Sequence, residues 1–508
     1  MKKLLAFILV GVMLLAACTP GGGGGAQGGA AAAGDNDTII WVQNADITSL
    51  DPHVGREASA ISVTVNIFDS MLAMIDGRPQ PALAHSWEQI DDVTWRFFIR
   101  EDVYFHDGVQ LTADDVAWSV ERARDAPQVQ YISGFVRYAQ VVDEFTVDIV
   151  MMHPFSPILA NLAMPMMGIL PRHLVEADEE AFIQHPIGTG AYKFVEWNRG
   201  IGARLVANPN YFRGAPLTRY LEMRVVPEPS QRMIAIETGQ AHLALDLASM
   251  DVARVIADPN LTFYEGDLIA TWYIMMNMNR PPLDNFLVRQ AIRYAIDQQS
   301  IVDAVRHGWA QPAHSFIPPM AFGHSTQTRQ FNQNLDRARE LLEEADVGDI
   351  NLTLFVNEAQ ERIDVCVIVQ DQLRQIGINV DLRILEFSAF LETTGNGDHD
   401  LALFVWSIPT LDADYNWFSL AHSSQRGPPG NRAFLSDPEI DRLIESGRSI
   451  ADPVQRQEIY DQLAVRMGEL SPVAYIFYAG INVGATNRLH GFNIDPNSYH
   501  RLYTAWLE

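Results

Sequence analysis

The stretch that decides the fold is residues 350–385, which read INLTLFVNEAQERIDVCVIVQDQLRQIGINVDLRIL. Residues 352–356 form an apolar run typical of a buried strand. Residues 362–375 carry apolar side chains at helical spacing, and Gly377 stands where a helix would end. Residues 378–384 then alternate apolar and polar side chains, which is the pattern of a half-buried strand. Strand, helix and strand in this order predict a βαβ unit, whose two strands run parallel.

Strands and helices also alternate on both sides of this unit. Residues 94–100 predict a half-buried strand, and Thr112 has the position of a helix N-cap with acids in the first turn. The apolar runs at 39–42 and 401–405 predict further buried strands. Two such α/β regions, separated by chain without a clear strand or helix pattern, predict two lobes that face a cleft.

The composition excludes several classes of function. The chain has 508 residues, of which 48% are hydrophobic and 19% charged, so it is globular and long enough for more than one domain. Its 36 basic and 63 acidic residues give a net charge of −27. Because this field repels phosphate backbones and anionic lipid headgroups, the composition argues against nucleic-acid binding.

The N-terminus has the organisation of an export signal. Lys2 and Lys3 precede an apolar run that is too short to span a bilayer comfortably, and the run ends in Leu15-Ala16-Ala17-Cys18. This order resembles the lipobox of bacterial lipoproteins, which implies cleavage after residue 17 and lipidation of Cys18. The alternative is an ordinary signal peptide followed by a chance cysteine. The Gly/Ala-rich residues that follow predict a flexible tether.

Catalytic signatures are missing from the sequence. It contains no phosphate-binding Gly-rich loop, no Gly-x-Ser-x-Gly and no His-Glu-x-x-His, and its histidines are scattered. Cys366 lies in an apolar helical stretch and is expected to be buried filler. We therefore predict no enzyme activity, no cofactor and no metal site. A tethered extracytoplasmic hydrolase remains the alternative from a different class.

Ten segments together resemble one known family, the extracytoplasmic solute-binding proteins of ABC importers in the group that binds peptides, dipeptides and nickel (family 5). The resemblance covers Thr38 to Glu508. Each motif is weak alone, but ten in the right order are specific. The segments are Leu50–Pro52, Asn66–Leu72, Pro81–Trp87, Phe105–Gly108, Leu111–Val116, Glu121-Arg122, Gly188–Tyr192, Asn208–Phe212, Val288–Ile292 and Asp437–Asp441.

The resemblance implies an α/β fold of the periplasmic-binding-protein type (class II), a monomeric clamp with two main lobes around a hinged cleft and an additional subdomain. The implied domains are a signal peptide at 1–17, a lipid-anchored tether at 18–37, lobe I at 38–70, 186–275 and 481–508, subdomain II at 71–185, and lobe III at 276–480.

The resemblance also implies where a ligand binds. Peptide-binding members anchor the ligand's ammonium on an acid that follows a strand like residues 401–406, within a pattern like Ala-Asp-Tyr. Asp414 fits this pattern, and Asp412 is the second candidate. Here Trp406 and Asp414 stand eight residues apart, farther than in the family, so the pocket is expected to differ. The candidate aromatic walls are Trp406, Tyr415 and Trp417.

The predicted function is a binding lipoprotein that captures oligopeptides or dipeptides outside the cytoplasmic membrane and delivers them to the transmembrane subunits of an ABC permease. Dipeptide binders hold the ligand's carboxylate on an arginine in the segment that resembles residues 355–358, and no arginine stands there; Arg362 is the nearest. This weakens a dipeptide-specific reading. The alternatives within the same fold are a nickel chelate, with His422 as the histidine to test, a glycoside, an opine or another non-peptide solute.

Overall fold

The computed structural model describes residues 36–508. The predicted signal peptide, Cys18 and the tether as far as residue 35 lie outside the described residues. Within the described range the chain forms two large sheets, one four-stranded sheet and two sheets of two strands each. The longest of its helices spans Pro453–Leu470, and none of the helices in this range has the length and apolar character that crossing a membrane demands.

The first large sheet belongs to lobe I and has seven strands. Residues 39–42, predicted as a strand, lie at its centre and pair in parallel with a neighbour on each side. The apolar core of the lobe packs on this sheet, with Trp41 2% exposed. In spatial order the strands are Leu261–Glu265, Asn482–Thr486, Leu243–Ala244, Thr38–Gln43, Tyr220–Val225, Gly202–Ala207 and Tyr192–Asn198.

The second large sheet belongs to lobe III and contains the predicted βαβ unit. Its parallel pair keeps register from Ile350 opposite Ile378 to Asn357 opposite Leu385. Gly377 lies just after the connecting helix with a φ of 85°, a conformation that favours glycine. The βαβ prediction is therefore confirmed. In spatial order the strands are Gln311–Pro312, Val473–Ala479, Ala270–Met276, Leu401–Ser407, Ile350–Asn357 and Ile378–Leu385.

Subdomain II is an antiparallel sheet with a hairpin before it. Trp95, Phe97 and Ile99 point into its core as the alternation predicts. Thr112 and Asp115 form a capping box at the start of helix Ala113–Asp125. The sheet order is Ala84–Gln89, Thr94–Ile99, Thr146–Met151 and Val136–Asp143, and the hairpin strands are Leu72–Ile75 and Arg78–Pro81. A second two-stranded sheet pairs Leu489–His490 with Trp506–Leu507 and packs in lobe I.

The helices cover these sheets. Those of lobe III lie on both faces of its sheet, with one apolar core on each side. The α-helices are Ala58–Thr64, Ala113–Asp125, Gln130–Ser133, Ile158–Leu162, Arg172–Val175, Glu179–Gln184, Pro229–Glu237, Val252–Ala257, Phe286–Ala295, Gln298–Arg306, Leu335–Ala345, Gln360–Arg374, Phe387–Asn396, Ala413–Ala421, Pro438–Ser449 and Pro453–Leu470, and the 3₁₀ turns are Pro165–Met167, Ser249–Asp251 and Ser423–Gln425.

Two of the implied boundaries need correction. Strand Ala270–Met276 pairs within the sheet of lobe III, so the chain leaves lobe I at residues 266–269 rather than at 275. The sequence could not separate this strand from Leu261–Glu265, because only four residues lie between them. Val175 and Phe182, which we assigned to subdomain II, pack in the core of lobe I.

The two segments that join lobes I and III run side by side. The Gly266 backbone N–H donates to the Ile481 carbonyl at 2.9 Å. A Cβ atom at Gly480 would overlap the carbonyl oxygen of Gly266, so this approach requires glycine. Two adjacent crossing segments that meet at glycines are the place where the lobes can turn relative to each other.

Candidate ligand-binding site

The segment that follows strand Leu401–Ser407 positions both candidate acids. Leu411 has a φ of 53°, which turns the chain sharply at this point. Asp412 then caps helix Ala413–Ala421 by accepting a hydrogen bond from the Asp414 backbone N–H at 3.0 Å. The cap places Asp414 in the first turn of the helix, two residues beyond Asp412 and pointing elsewhere.

Asp412 is held within the fold. Arg456 donates to both of its carboxylate oxygens, at 2.8 and 2.9 Å, and also to the Tyr460 hydroxyl at 2.8 Å. The Asp412 and Arg456 side chains are 8% and 7% exposed. Because its oxygens are occupied and it lines neither cavity described below, Asp412 is a structural residue rather than the second anchor that the sequence suggested.

Asp414 is as buried as Asp412 but differs in its partners and in lining a cavity. Its side chain is 7% exposed, and its Oδ1 lies 3.1 Å from Arg448 Nε without the alignment of a hydrogen bond. Within residues 36–508 no group donates a hydrogen bond to either Asp414 oxygen. Burial raises the pKa of Asp414 to about 6, with the nearby Arg448 opposing this rise and Asp412 adding to it. A buried carboxylate with unused acceptors favours a cationic partner.

Asp414 lines a cavity of about 310 Å³ between lobe III and subdomain II. Six of its fourteen lining residues are aromatic. The Tyr131 and Tyr415 rings meet across the gap with centroids 6.0 Å apart, and Trp406 stands 6.2 Å from Tyr415. The aromatic wall residues are Trp406, Tyr415 and Phe418 from lobe III and Tyr131, Phe135 and Phe155 from subdomain II.

Trp417 is part of the core, contrary to the prediction that it forms an aromatic wall. It is 1% exposed and meets Phe316 edge-on at 5.7 Å. At 3.6 residues per turn, Asp414, Tyr415 and Phe418 share one face of the helix and Trp417 lies on another. The sequence did not separate these positions because helix Ala413–Ala421 was not predicted there.

A second cavity of about 540 Å³ adjoins the first. Pro409 and Leu411 line it, whereas Thr410 between them lines the smaller cavity. All three bodies contribute to its wall, including Met74 of subdomain II, Met320 of lobe III and Tyr499 of the C-terminal return to lobe I. Charged side chains of both signs also line it: the arginines Arg213 and Arg501 and the acids Asp76, Asp267 and Asp495.

The other residues singled out by sequence lie away from both cavities. Arg362 donates to Asn357 Oδ1 at 3.1 Å, and the His422 ring lies 2.8 Å from the Ser424 hydroxyl. Cys366 is fully buried, and burial raises its pKa. Among residues 36–508 no group of three or more His, Cys, Asp or Glu side chains is placed to hold a metal ion.

Sequence reasoning missed Arg448, Tyr131 and Arg501. They come from three different parts of the chain, and only the folded structure brings them to the cavities. No local pattern marks them, because an arginine in the last turn of a helix and a tyrosine in a short helix are both ordinary surface residues.

Two α/β lobes are joined by a pair of crossing segments, and an aromatic cavity that contains Asp414 and Arg448 lies between lobe III and subdomain II. This arrangement is typical of the clamp of a solute-binding protein. The model of the bacterial extracellular solute-binding proteins, family 5 (middle region), matches residues 78–428. This chain belongs to that family. Members of the family are extracytoplasmic binding proteins of transport systems rather than enzymes. The predicted family and fold class are therefore confirmed.

Individual relatives agree with this assignment. The chain is 31% identical to Di/tripeptide-binding protein 4 of Pseudomonas aeruginosa over 91% of its own length and 92% of the relative. Among solved structures, HbpA2 of Haemophilus parasuis shares 25% identity at a TM-score of 0.84, covering 93% and 100% of the two chains. The periplasmic binding protein DppA of Helicobacter pylori, in complex with peptide STSA, has the same fold at a TM-score of 0.78 with 24% identity, covering 93% and 99%.

Proposed function

We propose that this chain is the lipid-anchored, peptide-binding subunit of an ABC importer, which captures peptides outside the cytoplasmic membrane and delivers them to the permease. The observation that carries the proposal is Asp414, a buried carboxylate with unused acceptors in an aromatic cavity between two bodies. A peptide's α-ammonium supplies three N–H donors for these unused acceptors, together with a positive charge.

The larger cavity accommodates the rest of the ligand. A peptide whose first residue fills the 310 Å³ cavity would pass the Pro409–Leu411 segment and enter the 540 Å³ cavity. Arg213 and Arg501 there can donate hydrogen bonds to the ligand's carboxyl end, a role for which residues 355–358 offer no arginine. The Arg501 side chain forms no hydrogen bond to other residues of the 36–508 range, so its donors are available.

Calorimetry and mass spectrometry together test this function. We expect a tripeptide with a free N-terminus to bind, and the N-acetylated form of the same tripeptide to bind much more weakly. After incubation the peptide should be recovered at unchanged mass, because the chain is proposed to carry it rather than to cleave it. Equal affinity for the free and acetylated peptides would refute the ammonium anchor, and a hydrolysed peptide would favour the enzyme alternative.

Peptide affinity should depend on pH through Asp414. Burial raises its pKa to about 6, while the ligand's α-ammonium keeps its proton below a pKa of about 7.7–8.0. Below pH 6 the carboxyl group must therefore lose a proton before it can pair with the ammonium, and affinity should fall by up to about tenfold per pH unit. Titrations between pH 7.5 and pH 5 check this. An affinity that stays constant over this range would contradict the role of Asp414.

The proposed lipid anchor depends on Cys18. We expect the wild-type protein to enter the detergent phase on phase separation, and Cys18→Ser to remain aqueous or to keep its signal peptide. Cys366→Ser is the matched control and should partition as the wild type does, because that buried thiol carries no lipid. Wild-type protein found wholly in the aqueous phase would remove the anchor from the proposal and leave peptide binding untouched.

A further inference from the structure

Arg448 lies at a contact between lobe III and subdomain II. It lies in the last turn of helix Pro438–Ser449, and its carbonyl oxygen accepts a hydrogen bond from the Ser156 backbone N–H at 2.7 Å. Its guanidinium lies over the Phe418 ring, 3.7 Å from the centroid, and 5.2 Å from that of Phe155. The side chain is 20% exposed and lines the 310 Å³ cavity beside Asp414.

The guanidinium has unused hydrogen-bond donors. Within residues 36–508 it forms no hydrogen bond, and its buried Nε lacks an aligned acceptor although Asp414 Oδ1 is 3.1 Å away. The indole N–H of Trp406, another wall residue, is buried without an acceptor. Buried donors normally have partners, and a guanidinium can serve a carboxylate with two parallel N–H groups. The cavity therefore presents spare donors for an anion beside spare acceptors for a cation.

The charge balance favours the same kind of ligand. Asp414 and Arg448 together are neutral, so a ligand that brings only an ammonium leaves a net positive charge in an aromatic cavity. A ligand that brings an ammonium and a carboxylate leaves none, and each of its charges meets the opposite charge on the protein. Because an uncompensated buried charge is costly, the second ligand is preferred.

We infer that the 310 Å³ cavity recognises an ammonium and a carboxylate on the same first residue of the ligand, with Asp414 holding the ammonium and Arg448 the carboxylate. The inference rests on the proposed function and adds a specificity to it. Two sources provide this chemistry: a peptide whose first side chain is acidic, and a γ-glutamyl peptide, whose first residue keeps a free α-amino and α-carboxyl group.

Matched ligands separate this specificity from peptide binding in general. We expect wild-type protein to bind Asp-Ala-Ala about 10- to 100-fold more tightly than Asn-Ala-Ala, the range of one charge-assisted contact. γ-Glutamyl-alanine is the second ligand to compare with Asn-Ala-Ala. If it binds more tightly than Asn-Ala-Ala, the cavity accepts the free α-amino and α-carboxyl groups of a γ-glutamyl residue. If it binds more weakly, the cavity recognises an acidic first side chain instead. Equal affinity for the Asp and Asn peptides, with γ-glutamyl-alanine no tighter, would overturn the inference.

Variants of Arg448 assign the preference to that residue. Arg448→Gln should remove the preference by weakening the binding of Asp-Ala-Ala without weakening that of Asn-Ala-Ala, because the variant no longer leaves a positive charge uncompensated beside the Asn peptide. Arg448→Lys should restore part of the preference. The Ser156 contact is to the main chain and survives both substitutions. A merely structural arginine would weaken both peptides alike, and that result would refute the assignment. Arg442→Gln, an exposed position on the same helix, should behave as wild type.

The outcomes also distinguish the inference from the function on which it rests. If peptides bind without preference for an acidic first residue, the specificity is wrong and the peptide-binding function stands. If no peptide binds at all, both are wrong.

Discussion

Asp414→Asn is expected to weaken the binding of a peptide with a free N-terminus by about two to four decades. The side chain is 7% exposed and lines an aromatic cavity, so the substitution leaves the ligand's ammonium buried without its counter-charge. Removing one partner of a buried ion pair costs about 3–5 kcal/mol, which corresponds to that loss of affinity. Calorimetry on the wild type and the variant measures it.

The N-acetylated peptide is the control for this result. Acetylation should weaken binding to the wild type strongly and binding to the variant little, because the variant has already lost the anchor. A loss of only about 1 kcal/mol on Asp414→Asn would indicate a solvent-screened contact and contradict a closed, water-poor site.

Asp414→Asn should not destabilise the fold. Burial raises the pKa of this carboxyl group, which means that its ionised form is less favourable in the folded chain than in the unfolded one. At neutral pH the neutral amide removes that penalty. The melting temperature of the empty variant is therefore expected to equal or exceed that of the wild type.

Asp412→Asn is expected to have the opposite profile, with a large loss of stability. Both oxygens of Asp412 accept from Arg456, and both side chains are more than nine-tenths buried. The variant leaves the Arg456 charge uncompensated in the core of lobe III, at a cost of about 3–5 kcal/mol in the free energy of unfolding. Denaturant unfolding, followed by a probe in lobe III, checks this because the lobes need not unfold together.

Asp336→Asn serves as the control for Asp412→Asn. Asp336 pairs with Arg339 on the surface of lobe III, where it is 91% exposed, so its loss should leave the unfolding transition almost unchanged. If Asp412→Asn behaved like this control, the buried pair would contribute nothing to the stability of the lobe.

The fold was predictable from local patterns, because buried strands and amphipathic helices leave a periodic record in the sequence. The βαβ unit at 350–385 and the strand at 94–100 are confirmed for this reason. Asp414 was found by resemblance to a motif, and the structure adds what the motif lacks: its burial, its unused acceptors and its separation from Asp412.

The rest of the site depends on contacts between distant segments. Arg448, Tyr131 and Arg501 occur in unremarkable local sequences, and no periodicity indicates that they meet at two adjoining cavities. Trp417 was assigned to the cavity wall because it is an aromatic residue close to Asp414 in sequence. In the structure, helix Ala413–Ala421 directs its side chain into the core. The sequence records which face of an element is apolar, but it does not record what that face meets.

Because the two crossing segments run side by side, lobe III is inserted into lobe I, and the two ends of the inserted chain lie next to each other. Glu265 lies opposite Asn482 in one sheet, and Ala270 lies opposite Ala479 in the other. Residues 270–479 are therefore one uninterrupted piece of chain with its own sheet and cores, which is the organisation of an autonomous module. This module carries Asp414, Trp406 and Arg448. In the proposed function we therefore expect the ligand's N-terminus to bind this module first and Tyr131 and Phe155 of subdomain II to cover it afterwards.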